Sequence, residues 1–177
     1  MKITIKNVRL SFPSLFQKAV FQGAETKFEG TFLLNKKTHA ASIKEIQAAI
    51  ADLIKSNLKG AKLGADKICL KDGDESSYEG YADHMSIKAG NSKRPLIIDK
   101  DKTPLTEDDN RVYSGCYVNA IIELWAQDNG FGKRINCNLL GVQFAADGEP
   151  FGDGGASASV NDFDMLDDGD DAGFELM

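Results

Sequence analysis

The feature that most limits how this chain can fold is a long alternation of side chains over residues 111–147. In its first half, small or aliphatic residues such as Val118 and Leu124 fill every second position, the period of a half-buried β-strand. The run from Asp128 to Gly132 then supplies the residues that a hairpin turn requires. The second half resumes with a one-residue phase shift, which predicts a β-bulge near Gly141. We therefore expect a long, bulged hairpin, typical of small barrels.

The other face of this hairpin is aromatic and basic rather than plainly polar. Tyr113, Tyr117 and Trp125 share one face, Phe131 lies in the turn, and the return strand begins with Lys133 and Arg134. Such rings can stack on nucleic-acid bases, or they can cover the core of an ordinary hairpin. The pattern leaves both interpretations open for each ring.

The first 60 residues predict two strands and a helix. Alternation over residues 3–12 indicates a strand whose phase slips at Lys6-Asn7, and residues 30–34 indicate a second strand. Apolar residues at helical spacing predict a helix over residues 38–57, which packs on the barrel wall. Its N-cap is either Thr38 or a capping box formed by Ser42 and Glu45.

Residues 59–110 carry weaker signals. Residues 67–71 fit either a short strand or the end of a helical hairpin, residues 78–89 predict a strand, and residues 96–99 predict a short strand. Residues 100–110 predict an exposed loop. Before this stretch, Phe16, Phe21 and Phe28 are interleaved with bases, an arrangement that suits either a satellite core or contact with nucleic acid.

The charge of the chain is concentrated at its C-terminal end. The net charge is −6, yet residues 161–177 hold seven acids and no base, which leaves residues 1–160 with a net charge of +1. We therefore divide the chain into a folded domain at 1–152, a flexible Gly/Ser linker at 153–160 and a disordered acidic tail at 161–177. Apolar residues among the acids favour a tail that docks on a partner protein. The tail residues expected to do so are Asp162, Phe163, Asp164, Leu166, Asp167, Asp168, Asp170, Asp171 and Phe174.

Several classes of function find little support in the residues. No apolar run is long enough to cross a membrane, and three scattered cysteines indicate reduced thiols in a cytoplasmic protein. With two histidines and no CxxC motif, we expect no metal site and no cofactor. Motifs for nucleophilic catalysis or phosphate binding are absent from the sequence, so we expect a protein that is not an enzyme.

What remains is a β-rich body with clustered bases and rings, a combination that suits single-stranded DNA as partner. The alternative is an acidic-tailed adaptor or DNA mimic that binds only proteins, and a homo-oligomer is left open. The residues expected to contact nucleic acid are Lys36, Lys37, Tyr78, Tyr81, Lys88, Lys93, Arg94, Arg111, Tyr113, Tyr117, Trp125, Phe131, Lys133 and Arg134.

Five segments carry a resemblance to a known family. They are FPSLF at 12–16, TFLLNKK at 31–37, RPLIID at 94–99, VYSGCYVNAII at 112–122 and LLGVQFAADGEPFG at 139–152. Together they resemble the OB-fold single-stranded-DNA-binding proteins of tailed phages. The resemblance implies a mainly β fold, a five-stranded OB barrel with an inserted helix. It also implies sequence-independent binding of single-stranded DNA in phage replication and recombination, in the bacterial host cytoplasm, with replication or recombination proteins as partners of the acidic tail.

Overall fold

The structure is a computed structural model that describes residues 2–152 and 163–166. The linker at 153–160 and most of the acidic tail lie outside these residues. Single 3-10 turns occur at Ala65–Lys67, Gly73–Glu75 and Glu107–Asp109. The strands and the helix of the described residues are β1 (Lys2–Ser14), β2 (Val20–Phe21), β3 (Ala24–Glu25), β4 (Phe28–Asn35), α1 (Ala40–Asn57), β5 (Leu70–Asp72), β6 (His84–Asn91), β7 (Leu96–Ile98), β8 (Tyr117–Asn129) and β9 (Gly132–Ala146).

Five of these strands close into a barrel. The strand order is β6-β4-β1-β8-β9, and β6 pairs in parallel with β9 at Gly90 and Asn138 to complete the circle. Counted along the chain, the third barrel strand thus pairs with the fifth, while the other neighbours are antiparallel. This connectivity is that of an OB-fold, a Greek-key barrel of five strands. The predicted mainly β fold with an OB barrel and an inserted helix is confirmed.

The β8–β9 hairpin is the longest element, as the sequence predicts. The pairing of Ile121 with Gly141 is followed by that of Ile122 with Leu139, so Leu140 is the extra residue of a bulge next to Gly141. The predicted bulge is confirmed. The predicted start of the strand is wrong, because pairing begins only at Tyr117.

Residues 111–116 form a loop instead of the start of that strand. Gly115 has a φ of +111°, and a side chain there would collide with the main chain at Glu149. Its N–H donates to the carbonyl oxygen of Leu10 at 2.8 Å, which fixes the loop against β1. Only glycine adopts this backbone conformation without strain, and the alternation of side chains does not reveal it.

Strand β1 contains the predicted change of phase. Ile5 pairs with Ala120 and Val8 with Val118, so that Lys6 and Asn7 together lie opposite Asn119. Asn7 has a φ of 54°, and its N–H donates to the side-chain oxygen of Asn119 at 2.9 Å. The bulge therefore keeps both halves of β1 facing the same core.

Helix α1 covers part of the barrel core. Ile43, Ile46 and Ile50 are buried among the side chains of the barrel interior, and each such burial stabilises the fold by about 1.5–3 kcal/mol. Neither predicted N-cap forms, because the helix begins at Ala40 with His39 as N-cap residue. Asn35 turns the chain before the helix instead, because its side-chain oxygen accepts hydrogen bonds from the N–H groups of Lys37 and Thr38.

The strand predicted at 78–89 is shorter than expected. Strand β6 begins at His84, and residues 78–83 form turns in which Gly80 and Asp83 have positive φ angles. Tyr81 within these turns packs on Leu33 and Phe151 instead of joining a strand. The segment at 67–71 proves to be part of a 3-10 turn followed by β5.

Candidate nucleic-acid interface

A basic groove lies on the outer face of the second and third barrel strands, β4 and β6. Its cavity of about 340 Å³ is lined by Lys27, Lys71, Lys88 and Arg134, which come from the residue before β4, from β5, from β6 and from β9. We call these four residues and their cavity the basic groove. Four separate elements therefore bring four positive charges to one place.

The pleat of the strands explains why these charges point outwards. Ile87 and Ala89 are buried in the barrel, so Lys88 between them faces solvent. Its ammonium group lies 3.1 Å from the carboxylate of Glu29 on β4. The guanidinium of Arg134 donates to the carbonyl oxygen of Asp66 at 3.0 Å.

The other two cations of the groove are less constrained. Lys27 and Lys71 are exposed, and neither forms an ion pair with any residue among 2–152 and 163–166. A cation without a carboxylate partner gives up no existing ion pair when it binds a phosphate. Among the described residues, the groove therefore holds two cations without an ion pair, one that is shared with an acid and one that binds a carbonyl oxygen.

The hairpin end beside the groove carries a tryptophan and a row of amides. Gln127 and Asn136 line the groove and are joined by a hydrogen bond of 2.7 Å. Trp125 pairs with Asn136 across the hairpin, and its indole N–H donates to Asn138 at 3.2 Å. Its side chain is 39% exposed, and Phe131 at the hairpin tip is 89% exposed. Both rings present exposed surface on which a flat ligand could lie.

A second set of rings, the aromatic cluster, consists of Phe12, Tyr78, Tyr81 and Phe151. The ring centroids of Phe12 and Tyr78 are 4.9 Å apart in an edge-to-face arrangement, and those of Tyr78 and Tyr81 are 5.4 Å apart. Tyr78 is 59% and Phe12 40% exposed, whereas the other two rings are buried. Two buried rings thus support two exposed ones.

A shallow depression of about 560 Å³ connects the cluster with the groove. It is lined by Tyr78 and Tyr81, by Lys71, by Ser86 of β6 and by three acids, Asp66, Asp72 and Glu75. Asp66 and Lys71 also line the basic groove, and Tyr78 also lines the pocket beside Phe12. The outer face therefore carries one track with a basic end and an aromatic end.

Besides the buried Tyr81, six of the predicted contact residues lie on or beside this track. Tyr78 belongs to the aromatic cluster, while the remaining five lie in the groove or at the hairpin end next to it. They are Lys88, Trp125, Phe131, Lys133 and Arg134. Lys93, in the segment after β6, and Lys37, in the turn before α1, are exposed, but neither lines the track.

Tyr81 does not present a ring to a ligand. It is 5% exposed, and its hydroxyl donates to the hydroxyl of Ser11 at 3.0 Å. The predicted stacking role does not fit this conformation of the ring, because neighbouring side chains cover it. Tyr117 is half-buried, with the guanidinium of Arg9 at 5.9 Å from its ring centroid.

Arg94 and Arg111 bind the protein itself. Arg94 donates to the carbonyl oxygen of Phe16 at 2.7 Å. Arg111 pairs with Asp99 at 3.3 Å and lies 4.2 Å from the ring centroid of Phe144, near the opposite end of β9 from Arg134. Ten residues of strand separate the two ends, roughly 33 Å along the chain. The predicted role in phosphate contact does not fit Arg111.

Tyr113 and Lys36 also have protein partners. The hydroxyl of Tyr113 lies 2.9 Å from the carboxylate of Asp147, and burial, assisted by this carboxylate, raises the pKa of the phenol. Lys36 is paired with Asp72 at 2.7 Å and Asp74 at 2.6 Å, and these hydrogen bonds raise the pKa of the lysine. The same contact with Lys36 is the main reason that the pKa of Asp72 is lowered. Two carboxylates already neutralise this lysine.

Sequence reasoning missed Lys27, Lys71 and Phe12 as members of the track. Lys71 alternates with the buried Leu70, a signal that it points outwards, but its neighbours across the sheet cannot be read from the pattern. Phe12 follows the apolar alternation of β1 and would be expected inside. A φ of 47° turns it to the surface.

Two structural features are absent from the described part of the chain. Residues 2–152 and 163–166 contain no helix long and apolar enough to span a membrane. Nor do they bring three or more histidine, cysteine or acidic side chains together in a way that could hold a metal ion.

Comparison with known proteins gives consistent matches. The model of the family described as "Enterobacter phage Enc34, ssDNA-binding protein" matches residues 1–173. Protein p50 of Acyrthosiphon pisum secondary endosymbiont phage 1 is 41% identical over 181 residues, which cover 94% of each chain.

Solved structures agree with these matches. The single-stranded DNA-binding protein from bacteriophage Enc34 in complex with ssDNA is 33% identical, with a TM-score of 0.78 over 85% of this chain and 89% of that chain. Another structure of that phage protein is 34% identical, with a TM-score of 0.78 over 92% and 90% of the two chains. The resemblance proposed from the five sequence segments is confirmed.

Proposed function

This chain belongs to the family of the Enterobacter phage Enc34 single-stranded-DNA-binding protein, and from this premise we propose that it binds single-stranded DNA along the track of basic groove and aromatic cluster. The proposed binding is independent of base sequence and serves phage DNA replication and recombination. No catalytic step is part of the proposal.

The observation that carries the proposal is the position of the basic groove on the barrel. OB-folds bind oligonucleotides on the face of the second and third strands, between the loop joining strands 1 and 2 and the loop joining strands 4 and 5. Here that face is formed by β4 and β6, and the two loops are residues 15–27 and the hairpin tip at Phe131. The four cations of the groove gather at this face.

The groove and the rings have separate tasks in this mechanism. Lys27, Lys71 and Lys88 contact phosphates, which are present in every sequence and therefore supply affinity without specificity. Tyr78 and Trp125 each offer a partly exposed ring on which a base stacks. The amides of Gln127 and Asn136 line the groove, where they can donate hydrogen bonds to a bound base or accept them from it.

The experiment that tests this function uses the single tryptophan of the chain, Trp125. Its fluorescence is followed while oligo-dT is added at two salt concentrations. We expect quenching with an affinity that falls as salt rises, because phosphate contacts release counterions. If no binding occurs at low salt, the function is wrong, and the alternative of an adaptor that binds only proteins gains support.

We further propose that the acidic tail competes with DNA for the groove. Seven acids follow a short Gly/Ser-rich segment, while residues 1–160 carry a net charge of +1. A tether of about ten residues gives an effective concentration near millimolar, so even a weak attraction would hold the tail near the cations. Phe163 and Leu166 are exposed, whereas the other tail residues named above, apart from Asp164, lie outside the described residues.

A truncated protein that ends at Gly155 tests the competition. It should bind oligo-dT more tightly than the full chain at low salt, with a gain that shrinks as salt screens the charges. Equal affinities at low salt would remove the tail from the mechanism. In our proposal, bound DNA releases the tail for replication or recombination proteins in the host cytoplasm, and self-association remains a further prediction.

A further inference from the structure

Two of the three cysteines meet in the wall of the basic groove. Cys69, just before β5, and Cys137, on β9, both line its cavity. The N–H of Cys69 donates to the carbonyl oxygen of Ile135 at 3.0 Å, and Ile68 pairs in parallel with Ile135, so the two chain segments run side by side. Both side chains line the same cavity, and each thiol influences the pKa of the other. The binding mechanism proposed above uses neither thiol.

The two thiols are chemically unequal, since the pKa of one is lowered and that of the other is raised. Cys137 is buried, and its interaction with Cys69 is the main reason that the pKa of Cys69 is lowered and that of Cys137 is raised. The Cys137 thiol donates to the carbonyl oxygen of Asn138 at 3.8 Å. Cys69 is half-buried, and the charge of Lys71 also favours its thiolate. A thiolate at a partly open site is the nucleophilic form of cysteine.

We propose that Cys69 and Cys137 form an oxidation site, a thiol–disulfide pair within the groove whose reactant is a hydroperoxide. The Cys69 thiolate attacks one peroxide oxygen, the O–O bond breaks and hydroxide leaves, which gives a sulfenic acid on Cys69. The Cys137 sulfur then attacks the Cys69 sulfur, an S–S bond forms, and the sulfenic oxygen leaves as water with the proton of Cys137. The peroxide gains two electrons, and the two sulfurs together lose them.

The bond would join two walls of the groove. Lys71 lies two residues after Cys69, and Arg134 lies three residues before Cys137. A disulfide holds its two Cβ atoms about 3.5–4.5 Å apart, so oxidation fixes the segment carrying Lys71 to the strand carrying Arg134. The groove would then have one fixed width.

Cys116 provides an internal control. Its side chain is fully buried, and burial raises the pKa of its thiol, so it should remain reduced under the same conditions. Because Cys116→Ser leaves both groove cysteines in place, this variant should oxidise like the natural chain.

The test treats the full chain with hydrogen peroxide and maps its peptides by mass spectrometry without reduction. We expect a peptide pair joined through Cys69 and Cys137 that lacks two hydrogen atoms, in both the natural chain and Cys116→Ser. In Cys137→Ser the reaction should stop at a Cys69 sulfenic acid, which dimedone traps. A link that involves Cys116, or oxidation of Cys69 that never yields the pair, would overturn the proposal.

A second measurement needs no substitution and so cannot be confused with misfolding. Iodoacetamide added to the reduced natural chain should modify Cys69 first, since the thiolate is the reactive form. Equal rates at all three cysteines, or a faster reaction at Cys116, would also overturn the proposal. Neither experiment contains DNA, so their outcomes are independent of the binding function.

Discussion

Two cations of the basic groove, Lys27 and Lys71, differ in what they contact from three arginines elsewhere on the barrel. Arg9, Arg94 and Arg111 each lie 4.0–5.7 Å from the ring centroid of a phenylalanine and also bind a carbonyl oxygen or a carboxylate of the chain. Lys27 and Lys71 of the groove are exposed and form no ion pair among the described residues. Positive charge alone therefore does not mark an interface. Cations that the fold already uses hold loops together, and cations that it leaves free are available to a ligand.

The largest expected effect comes from reversing charge in the groove. In Lys71→Glu/Arg134→Glu, two acids would face the phosphates, and repulsion should weaken oligo-dT binding on the order of 100-fold at low salt, about 2.7 kcal/mol. The matched control is Lys44→Glu/Lys55→Glu, which makes the same change on exposed positions of α1. Equal losses in both proteins would mean that net charge, and not the groove, governs affinity.

The aromatic end of the track should contribute next. Tyr78→Ala removes an exposed ring and should cost about 1–3 kcal/mol of binding free energy while the fold is retained. The control Tyr81→Phe removes only a buried hydroxyl, so the stacking surface is unchanged. Titrations with oligo-dT measure the affinity of both variants. Unchanged affinity for Tyr78→Ala would exclude the aromatic cluster from the site.

The three arginines that lie near phenylalanine rings should contribute to stability and not to DNA binding. Arg111→Ala loses the contact with the Phe144 ring and the ion pair with Asp99, which should lower the free energy of unfolding by about 1–2 kcal/mol. Its affinity for oligo-dT should stay the same. Urea denaturation and a DNA titration on one preparation measure both quantities. A weaker affinity with unchanged stability would place Arg111 in the interface after all.

The smallest effect concerns the carboxylate inside the groove. Glu29 holds the ammonium group of Lys88 at 3.1 Å, so Glu29→Gln should free that lysine and reduce repulsion of phosphate. We expect affinity to rise roughly 2- to 5-fold, in proportion to an exposed ion pair worth about 0.4–1 kcal/mol. In Glu29→Gln/Lys88→Gln this gain should disappear, and a gain that persists there would show that the lysine is not the reason.

Sequence alone predicted the scaffold better than the interface. The alternation of side chains located the β8–β9 hairpin and the bulges next to Gly141 and Asn7, because burial of one sheet face imposes that period. It failed at residues 111–116 and 78–83. There Gly115 and Gly80 adopt positive φ angles and the chain turns, although the pattern still suits a strand.

The interface was harder to predict because it depends on partners that are distant in sequence. Nothing in the local sequence around Arg111 tells that Phe144 lies beneath its guanidinium, or that Asp72 and Asp74 neutralise Lys36. The groove likewise arises only when β5 and β9 come together beside β6.

The salt dependence of binding tests most directly whether the groove is the DNA interface. Two variants each lose three positive charges: Lys27→Gln/Lys71→Gln/Lys88→Gln in the groove, and Lys44→Gln/Lys55→Gln/Lys62→Gln on and just after α1. Each lost phosphate contact should reduce the slope of log affinity against log salt by about 0.7 for single strands. The groove variant should therefore lose about 2 units of slope, while the helix variant keeps the natural slope. Equal slopes for the groove variant and the natural chain would contradict the assignment of the groove.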